Sequence, residues 1–563
     1  MFPGIRYRPR ISLREFGTPE SRLITSVAFP PCWASFGTVG RTGRATLPYA
    51  MILLLVGVLP ALPGTNEVAT GQPPPPIQLI FDNHADPMQS IPAAARPGVY
   101  AEWRDALAWL QDVCDARGAA ITFCSVGEFM EYVAEDPSSW PLMQAVYSAS
   151  GSLGTHSHRE HRVGPHDWRN LPPSPTPAQV LDAWNDHVGA VDAAVAAIFG
   201  LSDPNAIRQI NNLRGTHVPA DDAERIALMA AFGFRLHQQG PCEQFYVYFR
   251  HYALNPYRPS GTNFLVHDPG GPVINSPFGP VLGTNGVHFG VLQDMRLPAV
   301  QARFLLTLLN WLDDAFVSHT ERVWVTGWGS HCSDIIPTGV SRPVVIPALD
   351  WHKTYFVDET VSGLTALEFS SATRAADLYE TWEAEHPGQV SFSYAPTTTD
   401  WRHYPYLMAV ARYLADAQYV SAAAVGGVRL HRLTAGPAAG GPFPMWVAYP
   451  TAGADVTVNL TPILGMPTVL AASPRTGLAP PQPSAAVPVP TTGVILVPPD
   501  RRLPLPNGDV NLDGRLTFDD IDPFVAVLVG IDTNPARVTA ADVNRDGSVT
   551  FDDIDPFVAL LGE

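Results

Sequence analysis

Apolar and polar positions along this chain exchange two rhythms for most of its length. Ile77–Phe81 is a short apolar run bounded by turn residues, the pattern of a buried strand. Gly98–Arg117 then sets Val99, Trp103, Leu107, Leu110 and Cys114 on one helical face, which Gly118 closes. Ala119–Ser125 reads as strand, Val126–Ala134 as helix, Ser152–His156 as strand, and Thr176-Pro177 as the cap and first turn of a helix through Phe199. The exchange continues with strand at Ala206–Arg214, helix at Pro219–Phe232, strand at Phe234–His237, helix at Pro298–Phe316, strands at Arg322–Trp328 and Leu364–Phe369, and helix at Ser371–His386. Repeated strand-helix units predict an α/β fold with a parallel sheet, closed as a (β/α) barrel in preference to an open sheet.

Beyond about Val428 the rhythm changes. Short β-rich runs, Met445–Tyr449, Asp455–Leu460 and Gly493–Val497, are separated by Gly and Pro and predict a small β-sandwich. The expected organisation is an N-terminal extension with signal peptide at 1–70, the α/β barrel at 77–425, the sandwich at 428–498, a Pro-rich linker at 499–506 and a terminal module at 507–563.

Composition narrows the function classes. The chain has 563 residues, 46% hydrophobic and 16% charged, which suits two or three globular domains. Of its net charge of −18, the last 55 residues contribute −9, from twelve acids against three arginines. No basic cluster offers a surface for nucleic acid, so that partner class is excluded. Lys353 is the sole lysine and no G-x-x-x-x-G-K surrounds it, which excludes a P-loop; G-x-S-x-G is also absent. Arg41 and Arg44 precede an apolar run, Leu47–Leu62, and small or polar residues through Gly71, the order of a secretory signal. Cleavage is expected near Gly64–Ala69, with an uncleaved anchor as the rival reading and no transmembrane anchor expected in the mature chain. The implied location is secreted, extracellular or cell-surface, with the periplasm as an alternative. An oxidising compartment would let Cys114, Cys124, Cys242 and Cys332 form two disulfides, with the pairing open.

The terminal module contains one acidic loop written twice, 33 residues apart, and Asp509–Leu528 and Asp542–Leu561 agree at 16 of 20 positions. Oxygen donors fall at loop positions 1, 3, 5, 9 and 12, with glycine at the turn position 6, and this spacing serves a hard cation such as Ca2+. In the first loop the ligands would be Asp509, Asn511, Asp513, the Arg515 carbonyl, Thr517 and Asp520. The pair of loop-helix motifs resembles a type I dockerin, the module that attaches an enzyme to a cohesin-like scaffold domain. That resemblance implies two Ca2+, the second held by Asp542, Asn544, Asp546, the Ser548 carbonyl, Thr550 and Asp553. Where cellulosomal dockerins carry a hydroxyl pair at positions 10 and 11, this chain has Phe518-Asp519 and Phe551-Asp552, so a standard cohesin is not implied and an intramolecular partner stays open.

The candidate chemistry lies where the first and third strands end. Phe81-Asp-Asn-His-Ala-Asp86 and Gly154-Thr-His-Ser-His-Arg-Glu-His161 each place ligand types two apart, on one side of a strand. His84 with Asp86, and His156 with His158 and the nearby His161, could thus hold Zn2+ or a similar divalent ion acting on water. These residues resemble the glycoside hydrolase/deacetylase barrel superfamily and, within it, the NodB-like polysaccharide deacetylases. By that resemblance Asp82 is the base, His156-Ser157 opens the second motif, Arg214-Gly-Thr-His217 is the third and supports Asp82, and His331 is the late acid. Asn83 stands where the family has a metal-binding Asp, and Glu160 stands where it has the second motif histidine. The His84/Asp86 pair is also similar to the metal site of α-mannosidase-like barrels. A glycosidase would need a second carboxylate, from Asp268, Asp294 or Asp334. A barrel that only binds glycan would use aromatics such as Trp168, Trp324, Trp328, Trp351 and Trp401, which as readily fill core. The expected substrate is polysaccharide.

Overall fold

The computed structural model describes residues 74–563 apart from 149, 165, 217–218, 220, 238–254, 277–297, 392–413, 415–416, 437–440, 474–476, 479–480, 500–507, 513–515, 544–547 and 562–563. The extension and signal expected at 1–70, His217, Cys242, Asp294, Trp401, Asp513, Arg515, Asn544, Asp546 and the linker beyond 499 lie outside the described residues, as does the side chain of Trp328. The chain divides into Met1–Thr70 and Gly71–Glu563, and the described residues belong to the second unit. Among them, no helix is long and apolar enough to cross a membrane.

A parallel sheet runs through the first part of this unit. Its strands are β1 (Ile77–Ala85), β2 (Thr122–Ser125), β3 (Ser152–Ser157), β4 (Asn211–Thr216), β5 (Leu236–His237), β6 (Ile274–Asn275), β7 (Val325–His331) and β8 (Leu367–Ser370). Their order is β6-β5-β4-β3-β2-β1-β7, with β8 also paired to β1. All nine residues of β1 are buried, as a central parallel strand requires. The registers of Gln78 and His84 put β7 along one edge of β1, while β8 and β2 take the first and second halves of the other. The α/β sheet expected of the barrel is thus present as a partial barrel: β6 and β7 end the path, and among the described residues no pairing joins them.

Helices cover both faces, and alternation along β1 decides which residues meet which helix. Ile77, Leu79, Phe81 and Ala85 pack with Tyr100, Trp103 and Leu107 of α1 (Arg96–Asp115) and Phe129 of α2 (Gly127–Glu135). On the other face Ile80 meets Ala375, and Cys124 and Leu213 meet Ala372 and Ala376; both sets come from α7 (Ala372–Glu385). Between these in sequence lie α3 (Pro177–Phe199), α4 (Asp222–Ala231), α5 (Pro298–Asp313) and α6 (Arg342–His352). The cap predicted at Thr176 forms, and the structure adds Gln179 as its partner in a capping box. One boundary differs: Ala206–Arg214, expected as strand, begins inside a helix, Pro204–Ile210, and the strand starts at Asn211. Asp203 caps that helix by accepting the Asn205 N–H at 3.0 Å, with Pro204 at its first position, a start signal that outweighs the β-branched run.

The C-terminal sheet is antiparallel and begins at 418 rather than 428. Strands β9 (Gln418–Val425), β10 (Val428–Thr434), β11 (Pro444–Pro450), β13 (Thr468–Ser473) and β15 (Val494–Val497) form it in the order β9-β10-β11-β15-β13, and β12 (Val456–Val458) pairs β14 (Val487–Val489) separately. Its alternate residues serve two cores. Leu430, Trp446, Ala448 and Leu496 pack on the β12–β14 ribbon, whereas Leu433, Met445, Val447 and Ile495 join the main core with α5 and α6. The expected sandwich therefore shares a core with the preceding sheet.

In the tail, α8 (Ile521–Leu528), α9 (Pro535–Ala541) and α10 (Ile554–Leu561) enclose a small core in which Phe524 and Phe557 stack at 4.2 Å. Both loop copies end alike. The Asp520 carboxylate accepts the N–H groups of Asn511 and Thr517 at 2.8 and 2.9 Å, and Asp553 accepts that of Thr550 at 2.9 Å. Asp509, Asp520 and Asp553 are fully buried; Thr517 and Thr550 cap the turns that follow, and Asp542 and Ser548 bracket the second loop.

Candidate metal centre

The C-terminal ends of β1, β3 and β7 converge on one carboxylate. Asp86, just past β1, has its Oδ1 at 3.7 Å from His156 Nε2 and 3.6 Å from His158 Nε2, and its Oδ2 at 3.5 Å from His331 Nε2. The Nε2 atoms of His156 and His158 are 2.9 Å apart. Parallel register makes the meeting possible, since His84 lies opposite His331 on one edge and Cys124 on the other. Below Asp86, His84 stacks on His156 with ring centres 4.5 Å apart and pairs through Nε2 with Asp82. Asp82, His84 and Cys124 form a second group whose ligand atoms, like those of Asp86, His156 and His158, all lie within 4.8 Å of one another.

The two groups differ in access. Asp82, His84, Cys124 and His156 are buried, whereas Asp86, His158 and His331 keep 30%, 41% and 22% of their side chains exposed. Burial pushes the Asp86 carboxyl up, but the His158 hydrogen bond and the charges of His331, His158 and His84 outweigh it and leave it below the usual carboxylate range. Burial lowers His158 and His331, and the opposing pull of Asp86, joined for His331 by Asp334, brings both above the ordinary imidazole value. For Cys124 burial dominates and pushes the thiol well up.

The donor set fits a zinc-type ion. Ligand atoms around such an ion with bonds of about 2.0–2.1 Å stand roughly 3.3 Å apart, close to the spacings among Asp86, His156 and His158, while His331 approaches the other oxygen of Asp86 and stands outside that group. His331 adds a carboxylate behind its ring: Asp334 Oδ2 lies 2.8 Å from Nδ1 and also accepts the His331 amide, so Nε2 is left to face Asp86.

Several expected roles move. Asp82, expected as the base, is fully buried beneath His84 and touches that ring rather than the solvent-facing side. Arg214, expected to support Asp82, projects from the other face: it pairs in register with Thr155, donates to Ser157 Oγ at 2.7 Å and lies 4.2 Å over the Trp184 ring of α3. Burial pulls its guanidinium down to about 9, still charged at neutral pH. His161 pairs with Arg169 in a hairpin beyond β3 and belongs to neither ligand group, because one extra residue turns it away. Asn83 donates to Ser330 Oγ at 2.9 Å and accepts from Cys332 Sγ at 3.1 Å, so it joins β1 to the end of β7 from the opposite side to His84. His331 is brought in, with its Nε2 toward Asp86. Cys114, Cys124 and Cys332 are buried and lie apart, Cys114 in the α1 core and Cys124 on the α7 face, and no disulfide joins these three. Trp168, Trp324 and Trp351 are buried among core residues, and Asp268 lies in a surface turn.

Two contributors escaped the sequence reading as site residues: Cys124 was signalled by its place in the strand after β1, and His187 by a polar ring on the apolar stripe Val180, Trp184, Val191 of α3. Asp334, named there as a glycosidase carboxylate, instead stands behind the His331 ring.

No family model and no curated protein matches this chain. Among solved structures it is similar to a 4-alpha-glucanotransferase from Thermococcus litoralis, at 10% identity and a TM-score of 0.33 over 54% of this chain and 40% of that one. It is also similar to a candidate polysaccharide deacetylase from Mycobacterium smegmatis, at 11% identity and 0.33 over 56% and 96%. A candidate glycoside hydrolase/deacetylase from Parabacteroides distasonis gives 8% identity and 0.33 over 66% and 81%. This chain spans less than half of the glucanotransferase, and at such scores none of these neighbours bears on its chemistry.

Proposed function

We propose that this chain is a secreted metal-dependent hydrolase that removes acyl groups, acetyl above all, from polysaccharide, and that its tail is a dockerin-like calcium module. The observation that carries the catalytic part is the convergence of Asp86, His156, His158 and His331 at the C-terminal end of a parallel sheet, where α/β barrels build their sites. A zinc-type ion held by these four residues would supply Lewis acidity and make water a stronger acid at neutral pH. The chain's own residues do the rest. Asp82 holds the His84 ring, whose stacking fixes His156; Asp334 holds the His331 ring; and the exposed edges of Asp86, His158 and His331 define the side from which substrate enters.

Acyl transfer is favoured over glycoside cleavage by the state of the carboxylates. Asp82, Asp86 and Asp334 each engage an imidazole, whereas a glycosidase needs two carboxylates facing across the sugar. In the tail the twin loops with buried Asp509, Asp520 and Asp553 suit two Ca2+, and the exposed Phe518 and Phe551 suit a cohesin-like or intramolecular partner.

The test is product analysis on acetylated polysaccharides with zinc-loaded protein. Free acetate should appear without new reducing ends, disappear on chelation and return with zinc. Reducing ends without acetate would transfer the chain to the glycosidases, and neither product would remove the hydrolase reading.

A further inference from the structure

We propose that Glu160 and His187 are positioning residues that set the ligand ring of His158 from the helix-covered side of the sheet, an inference that rests on the metal centre above. β3 ends at Ser157. The N–H of His158, the next residue, donates to both carboxylate oxygens of Glu160, at 3.1 Å each. Glu160 is itself buried, and its charge is met by His187 Nε2 at 3.1 Å, which also lies 3.1 Å from the Glu160 carbonyl.

The chain fixes the protonation pattern of this relay. His187 Nδ1 accepts the Gly127 N–H at 3.0 Å, so the ring proton sits on Nε2 and points at Glu160. Gly127 admits the approach: a Cβ there would meet Trp168 at 2.7 Å and the His187 backbone at 3.1 Å. On the same side Arg214 holds Ser157, the residue between His156 and His158. Strand alternation does the rest, turning Ser157 to the helices and His156 toward Asp86.

Stability alone is a poor reason for this pair. A buried carboxylate-imidazole couple is commonly replaceable by apolar residues at little cost. Here the carboxylate takes the amide of one ligand histidine as well as the His187 ring, so the pair fixes the backbone from which that ligand ring projects.

Two variants of the full chain test the proposal, E160Q and H187Q, with zinc affinity measured by chelator competition and ring geometry read from the visible spectrum of the cobalt form. Metal-free thermal unfolding reports folding separately, and if one variant fails to fold the other decides. Zinc affinity weaker by about 10–100-fold, with an altered cobalt spectrum in a folded variant, is the expected result. Affinity within about twofold of wild type and an unchanged spectrum would overturn the positioning role and leave the metal centre standing. A wild-type chain that binds neither zinc nor cobalt would instead bring down the metal reading itself.

Discussion

In the tail, Asp520 gathers the amides of Asn511 and Thr517 from within its own loop, and Asp553 does the same for Thr550. At the end of the parallel sheet, Asp86 faces rings from β3 and from β7, which reach it only because strand order and register bring them side by side. The first arrangement is local, made of oxygens and repeated; the second is long-range, rich in imidazole and single. Oxygen loops suit a hard ion that holds shape, and half-open imidazole clusters suit an ion that does chemistry. The difference predicts that the two regions answer independently to mutation and to metal.

The largest effect should come from Asp86→Ala, which removes the carboxylate that three rings share. Zinc affinity should fall by more than ~100-fold, since even outer partners of a ligand are worth 10–100-fold. Calcium uptake by the tail, followed by calorimetry, should stay at the wild-type level. A loss of calcium binding in this variant would show that the two regions are one coupled system.

The same contrast explains what the sequence made legible. The tail's repeat is written in consecutive residues, and the structure sets a helix after each copy where the repeat puts it. At the sheet, spacing of two grouped His156 with His158, which do meet, because alternation is a property of any strand; it also joined His84 to Asp86, whereas His84 falls with Asp82 and Cys124 and Asp86 falls with the two later histidines. Register is not local, so nothing in the sequence said that His331 would stand opposite His84, or that Cys124 would lie on its other side, and Cys124 was read as half of a disulfide. Arg214 was assigned to Asp82 by motif order, yet one residue of phase put it on the other face with Trp184. At Ala206 a strand-like run hid a helix start, Asp203-Pro204, which is a local signal that could have been weighed more heavily.

A smaller effect is expected from Asp520→Ala, which deprives two buried-loop amides of a charged acceptor. The loss should be about 2–4 kcal/mol of tail stability, read as faster hydrogen exchange around Phe524 and Val527. Zinc affinity at the sheet should be unchanged. Weakened zinc binding in this variant would sink the independence of the two regions.

The most direct measurement is the metal content of the wild-type chain after chelator stripping and re-exposure to calcium and zinc together, by mass spectrometry of the native protein. Two calcium ions with one zinc per chain, the zinc lost in Asp86→Ala and the calcium lost in Asp520→Ala with Asp553→Ala, is the predicted result. Calcium alone, with no transition metal kept by the wild type, would contradict the central claim that Asp86 and its three histidines hold an ion.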